Sequence, residues 1–137
     1  DGTDNAEYFI YKFNLSNKDK KRVLFLNEFY KKKVTTRDFT ENNLNKILYF
    51  NGKDALMDIV HFKIYKSKKE DKKLLAIIKN FKNKEVPILP FRASMLMTKY
   101  NIPEGKKLGL KMKMIEELWV KNNFQLSEKV IEKIVNN

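Results

Sequence analysis

The residues best suited to metal chemistry are two acids and the only histidine, in the spacing Asp-X-X-X-Asp-X-X-His. At this spacing Asp54, Asp58 and His61 would share one helix face, and carboxylate and imidazole groups are common metal ligands. A simpler interpretation is that Asp54 is a first-turn acid favoured by the helix dipole and that His61 lies at the surface. We therefore predict no metal site in residues 1–137.

Other catalytic patterns are missing from the sequence. It has no nucleophile elbow, no glycine-lysine loop for phosphates and no dinucleotide fingerprint. The lack of cysteine excludes disulfides and thiolate metal sites and is typical of a reducing compartment, so we expect a cytoplasmic protein. We therefore predict no catalytic residue and no cofactor in these residues.

The stretch NIPEGKKLGLKMKMIEELW puts bare backbone and positive charge at the start of a helix predicted over about residues 104–122. Gly105, Gly109 and Lys113 are four residues apart and line one edge of it, with Lys106 beside them. Glycine inside a helix costs about 1 kcal/mol relative to alanine, so something should compensate. Two explanations stay open. Another helix packs closely on the glycines, or a nucleic-acid backbone binds the free amides and the two lysines.

The charge balance points to an anionic partner. The formal net charge is +12, from 29 Lys and Arg against 17 Asp and Glu, which favours nucleic acid before membrane. The alternative is that the charge results from a composition-biased genome, since Lys and Asn dominate the sequence. A second basic surface is predicted on the helix after Ser16, where Lys20 and Lys31 share one azimuth and Lys21 and Lys32 a neighbouring one, over about 16 Å. Such rows can follow phosphates, although most are solvated faces.

The elements that must position these residues are predicted to be helices. Glycine and proline are scarce and hairpin signals nearly absent, which favours an all-α array of about six or seven helices. Pro87 and Pro90 force extended backbone and divide a body segment, residues 1–82, from a tail segment, residues 83–137. No apolar run could span a membrane, and the first residues show no signal-peptide pattern. The abrupt start without Met indicates a piece of a longer protein.

Short motifs predict where the helices begin and end. Serine, threonine and capping-box patterns mark starts, and glycine or asparagine in the left-handed conformation marks ends. The predicted starts are at Ser16, Thr40, Asp54, Ser67-Lys68-Lys69-Glu70 and Ser127, and the predicted ends are Asn51-Gly52 and Asn101. On the long helix the predicted core stripe is Leu108, Met112, Ile115 and Trp119, widened by Leu110, Met114 and Leu118.

The tail segment resembles a known family. The sequence from ILPFRASMLMTKYN to ELWVKNNFQLS is similar to the C-terminal region of class II CCA-adding tRNA nucleotidyltransferases, a family that includes bacterial poly(A) polymerase family proteins. The residues that match the family's motif are Leu89-Pro90, Gly105, Gly109, Trp119 and Phe124. The stretches KFNLSNKDKKRVLFL and LYFNGKDALMDIV resemble the upstream part. Two departures are Leu89 in place of Phe and the absence of Asp from Ala93-Ser94-Met95-Leu96.

The resemblance implies a body and tail that hold the acceptor and T-arm of tRNA, while nucleotide addition occurs in an N-terminal head. That head would use Mg²⁺ with CTP and ATP, and its motifs do not occur in residues 1–137. The expected partners are therefore tRNA and the head of the same chain. Three rivals remain: a basic helical adaptor for an acidic protein partner, a scaffold lobe with no RNA role, and an independent enzyme.

Overall fold

The protein is all-α. A computed structural model describes the backbone of residues 2–137 and the side chains from Ala6 onward. These residues form eight α-helices and no strand, with a 3-10 helix at Thr36–Phe39 between the second and third. The helices are α1 (Gly2–Phe13), α2 (Asn17–Lys31), α3 (Glu41–Asn51), α4 (Lys53–Lys66), α5 (Lys72–Lys82), α6 (Ala93–Tyr100), α7 (Lys106–Lys121) and α8 (Glu128–Asn136). The all-α prediction is confirmed, and the described residues form eight helices, of which α1 was not predicted. Within the described residues, no helix combines the length and the apolarity needed to cross a bilayer.

Most helix ends follow the predicted caps. The hydroxyl of Ser16 accepts a hydrogen bond from the Asp19 amide at 3.2 Å, and that of Thr40 accepts one from the Asn43 amide at 3.5 Å. Gly52 ends α3 with φ of 91°, a conformation that glycine adopts without steric cost.

One predicted cap is wrong. The Ser67-to-Glu70 box does not start a helix, because α5 begins later, at Lys72. Its N-cap is Asp71, whose carboxylate accepts from the amides of Lys73 at 2.9 Å and Leu74 at 3.4 Å. This carboxylate accepts from two amides at the positive end of the helix dipole, where a negative charge is favourable.

Helix α1 packs against α2 and exposes a set of aromatic side chains. Its exposed aromatic residues are Tyr8, Phe9, Tyr11 and Phe13. The rings of Phe9 and Phe13 lie 4.6 Å apart, one helical turn from each other. Clustered exposed apolar surface of this kind is typical of a docking face for another protein segment.

Two apolar clusters form the core, and α3 packs against α7 between them. The first cluster contains Phe29, Leu44, Ile47, Leu48, Leu56, Ile59 and Phe81. The second contains Leu96, Ile102, Leu108, Ile115, Ile131 and Ile134. The predicted core stripe on α7 faces the core. Leu110 and Met114, which were predicted to widen it, are 61% and 51% exposed, so the prediction is wrong at those two positions. The other helices pack against one side of α7 and leave these two residues in solvent.

A polar junction joins the two clusters. Asn45 of α3 is buried, donates to Asn123 Oδ1 at 3.0 Å, and accepts from Lys84 Nζ at 2.9 Å. The same ammonium lies 4.8 Å from the ring centre of Phe81 and 5.7 Å from that of Phe124. Since Lys84 lies in the segment between α5 and α6, this contact fixes that segment to the middle of α3 and to the residues that follow α7.

A second buried polar contact closes α8. Lys111 of α7 is buried, and its ammonium donates to the carbonyl oxygens of Ile134, Val135 and Asn137 at 2.7 to 2.9 Å. These carbonyls lie at the negative end of the α8 dipole, where a cation is favourable. A lysine on the inner side of α7 is therefore a structural residue and is not part of its basic surface.

Candidate nucleic-acid interface

The start of α7 is open to solvent. Asn101 ends α6 in the left-handed conformation with φ of 54°, as predicted, and Gly105 is the N-cap of α7 with φ of 147°. The amides of the first turn have no partner within the helix, because its first internal bond runs from the Gly109 amide to the Gly105 carbonyl. A Cβ atom built on Gly105 or Gly109 would meet no heavy atom within 4 Å. Close packing of another helix does not explain these glycines.

A row of exposed residues continues from this start along α7. Residues at successive turns of a helix lie on one face, and here the face contains the residues that we name the α7 stripe: Lys106, Gly109, Lys113, Glu117 and Lys121. It is about 22 Å long, from fifteen steps along the helix at about 1.5 Å each. Three lysines oppose one glutamate, so the stripe is electropositive along its length. Of the residues that the sequence singled out, Gly105 precedes the stripe, and Lys106, Gly109 and Lys113 form its first half.

The far end of the stripe enters a cleft between α3 and α7, which we name the α3–α7 cleft. Its volume is about 620 Å³, and both Glu117 and Lys121 line it. From the opposite side it receives Arg37, Lys46 and the ring of Phe50. Arg37, Lys46 and Lys121 are all exposed, so these cations are accessible to a ligand in the cleft.

A second cleft, of about 580 Å³, lies between α2 and α4 and is named the α2–α4 cleft. Its cationic lining residues are Lys18, Lys21, Arg22 and Lys53, and Phe50 forms part of its wall as well. Lys18 lies 3.4 Å from Asp54 in an exposed ion pair. Among the side chains described, no carboxylate lies within ion-pair distance of Lys21 or Lys53. These two lysines give the cleft its positive charge.

The second predicted basic surface, on α2, is divided between different environments. Lys20 is partly covered and lines a cavity with Glu7 and Tyr11 of α1. Lys21 faces the α2–α4 cleft, and Lys31 lies 3.9 Å from Glu28.

Lys32 is not on the helix, because α2 ends at Lys31 and the next residue is extended. Its ammonium donates to Asp38 at 3.0 Å. A backbone hydrogen bond from Thr35, with a further one from Lys32, holds the pKa of Asp38 below its ordinary value. Lys32 therefore lies beyond the helix on which the two-row face was predicted, and Lys21 is the residue of this group that lines the α2–α4 cleft.

Two of the three candidate metal ligands, Asp54 and Asp58, are paired with cations. Arg22 donates to both oxygens of Asp58, from Nε at 2.8 Å and from Nη2 at 2.7 Å, and this bond raises the pKa of the guanidinium. The part of the chain that the structure describes contains no group of three His, Asp or Glu side chains arranged to hold a metal. The Mg²⁺ that the family resemblance implies is expected in the catalytic head and not in residues 1–137.

Comparison with known proteins returned no match: no family model, no curated protein and no solved structure is significantly similar to the chain. The resemblance to tRNA nucleotidyltransferases is therefore carried by the residues quoted above.

Proposed function

We propose that this chain binds folded RNA through its phosphate backbone, along the α7 stripe and into the α3–α7 cleft. The observation that carries this proposal is the open backbone at Gly105 and Gly109 within a row of exposed lysines. A bare helix start with free amides and a positive dipole is favourable for a phosphate, and Lys106 and Lys113 add charge beside it.

The chemistry of this surface favours recognition by shape. Lysine ammonium groups bind phosphate oxygens without reading base identity, and A-form RNA presents its phosphates and ribose hydroxyls across a shallow minor groove. A binding surface of this kind accepts many RNA sequences with the same fold. Binding should weaken steeply with salt, because each phosphate contact releases bound counterions.

The RNA proposed is tRNA, and this more specific step rests on the family resemblance. On this proposal the chain is the body and tail of a cytoplasmic CCA-adding or poly(A) polymerase family enzyme. It holds the acceptor and T-arm while a catalytic head of the same protein adds nucleotides to the 3′ end. The exposed aromatic residues of α1 are a suitable surface for that head.

A titration of fluorescent tRNA with the 137-residue chain tests the proposal. The expected result is tighter binding of tRNA than of a DNA duplex of equal length, and a steep fall in affinity with salt. The double variant Lys106→Glu and Lys113→Glu should weaken tRNA binding at least tenfold and flatten the salt slope by about one to two units.

A matched control is Lys68→Glu with Lys69→Glu. These exposed lysines lie between α4 and α5, line neither cleft, and their replacement changes the net charge by the same amount. If both double variants lose affinity equally, the charge acts without regard to position and the stripe is not the site. If the parent chain shows no preference for tRNA, the adaptor or scaffold alternatives replace the proposal.

A further inference from the structure

We propose that Phe50 is a stacking platform for an unpaired base of the bound RNA. This inference rests on the proposed RNA binding and adds to it a contact with single-stranded nucleotides. Its basis is that Phe50 lines both the α3–α7 cleft and the α2–α4 cleft. An aromatic ring with positive charge on both sides is the arrangement that proteins use to bind single-stranded nucleic acid.

The ring of Phe50 is exposed, but contacts with neighbouring residues fix its position. Phe50 is 44% exposed, and it packs edge-on against Tyr49 with 4.9 Å between ring centres. Tyr49 in turn donates its hydroxyl to Glu116 Oε2 at 2.8 Å and packs edge-on against the buried Trp119 at 5.4 Å. A ring supported in this way loses little conformational freedom when a base stacks on it.

Cations flank the ring on both sides. Lys21 and Lys53 line the α2–α4 cleft, and Lys46 and Lys121 line the α3–α7 cleft. A nucleotide whose base covers Phe50 would direct its 5′ phosphate into one cleft and its 3′ phosphate into the other. The same path continues along the α7 stripe, so a paired stem on α7 and an unpaired segment at Phe50 can belong to one RNA.

Exposure alone does not distinguish this residue, since single exposed apolar side chains are common on proteins. Tyr65 and Ile88 are more exposed, at 84% and 87%, yet neither lines either of the two clefts. Phe50 is also not needed for the α3 core contact, which Leu44, Ile47 and Leu48 provide. The position between two basic clefts is therefore the feature that assigns a ligand to the ring.

The affinities of the parent chain and its variants for a fluorescein-labelled RNA decamer of mixed sequence test the stacking. Phe50→Ala should weaken its binding roughly five- to hundredfold, the range found for loss of one aromatic–base stack. Against a decamer of the same backbone with every base removed, the parent chain and Phe50→Ala should bind equally. Tyr65→Ala is the matched control and should bind both decamers as the parent does.

Phe50→Trp covers the case in which the alanine variant does not fold. It keeps an aromatic face, should bind the base-bearing decamer at least as tightly as the parent, and its exposed indole should lose fluorescence on binding. Equal binding by Phe50→Ala and the parent, or an equal loss on the abasic decamer, would overturn stacking at Phe50 while tRNA binding by the parent chain still upholds the proposed function. Binding of neither tRNA nor decamer by the parent would overturn both.

Discussion

Arg22 and Asp58 form a two-bond ion pair that connects α2 to α4, with both carboxylate oxygens accepting from the guanidinium at 2.7 and 2.8 Å. The pair lies at the edge of the α2–α4 cleft, and the two side chains are 39% and 22% exposed. Partial burial and paired geometry make such a contact stronger than an open surface pair.

Replacing Asp58 with Asn should lower the free energy of unfolding by about 1–2 kcal/mol, because the charge-assisted bonds are lost at a half-buried position. Asp54→Asn is the matched control. Its ion pair with Lys18 is exposed, so its loss should cost below about 0.5 kcal/mol. Urea unfolding of both variants measures the difference, and equal losses would show that the geometry of the Arg22 pair contributes nothing extra.

Gly109→Ala should make the protein more stable and RNA binding weaker. Alanine removes the entropic penalty of a helical glycine, and its Cβ meets no neighbouring atom, so stability should rise by about 0.5–1 kcal/mol. The added methyl group would keep a phosphate away from the backbone. Thermal unfolding and tRNA titration measure the two effects, and unchanged affinity would contradict close approach of RNA at this residue.

Gly105→Ala should have the opposite effect on stability. The φ of 147° at Gly105 is strained for any residue with a Cβ atom, so a loss of about 1–3 kcal/mol is expected although space is available. The measurement is the same thermal unfolding. A gain in stability, as at Gly109, would mean that the start of α7 has a different backbone conformation.

Lys111→Met should destabilise the protein by about 1–3 kcal/mol. The variant keeps an unbranched apolar side chain but leaves the carbonyls of Ile134, Val135 and Asn137 without their donor. The exposed neighbour Lys107 gives the control variant Lys107→Met, expected to change stability by below about 0.5 kcal/mol. Urea unfolding of both variants measures the difference in their free energies of unfolding. A Lys111→Met variant as stable as Lys107→Met would show that α8 does not need the ammonium.

Alkaline pH should weaken the fold through two tyrosines. Burial raises the pKa of Tyr30 to about 12, and burial together with the hydrogen bond to Glu116 raises the pKa of Tyr49 to about 12. The stability that depends on these protonated hydroxyls is complete below pH 10, their ordinary pKa, and is lost as the pH rises through 12. Urea unfolding between pH 9 and pH 12 measures the loss.

The matched variants for this pH effect are Tyr30→Phe and Tyr49→Phe. Each removes one hydroxyl, so each should unfold with a shallower loss of stability above pH 10 than the parent, while lysine deprotonation affects all three proteins alike. Identical slopes in the parent and both variants would exclude the two tyrosines as the cause.

Local signals in the sequence were enough to predict the fold class, most helix ends and the inner stripe of α7. Caps such as Ser16 and Thr40 act within one turn, so a single segment contains the information. The exposure of Leu110 and Met114 could not be predicted in this way, because it depends on which side of α7 the other helices cover.

The candidate site was predicted only in part for the same reason. The glycine and lysine spacing at the start of α7 identified its open end. Phe50, Arg37, Lys46 and Lys121 were missed, since they come together only when α3 packs against α7. In the sequence, Phe50 is only an aromatic residue next to the helix end at Asn51-Gly52. Its position between two clefts depends on how the helices pack in the tertiary structure.

The contact of Lys84 with Asn45 has a mechanical consequence. One ammonium group, set between the rings of Phe81 and Phe124, holds the connecting segment against both halves of the molecule. This contact and the direct bond from Tyr49 to Glu116 hold α3 against α7, and they also set the span from the start of α7 at Gly105 to the ring of Phe50. That span determines the length of polynucleotide that can reach both points at once.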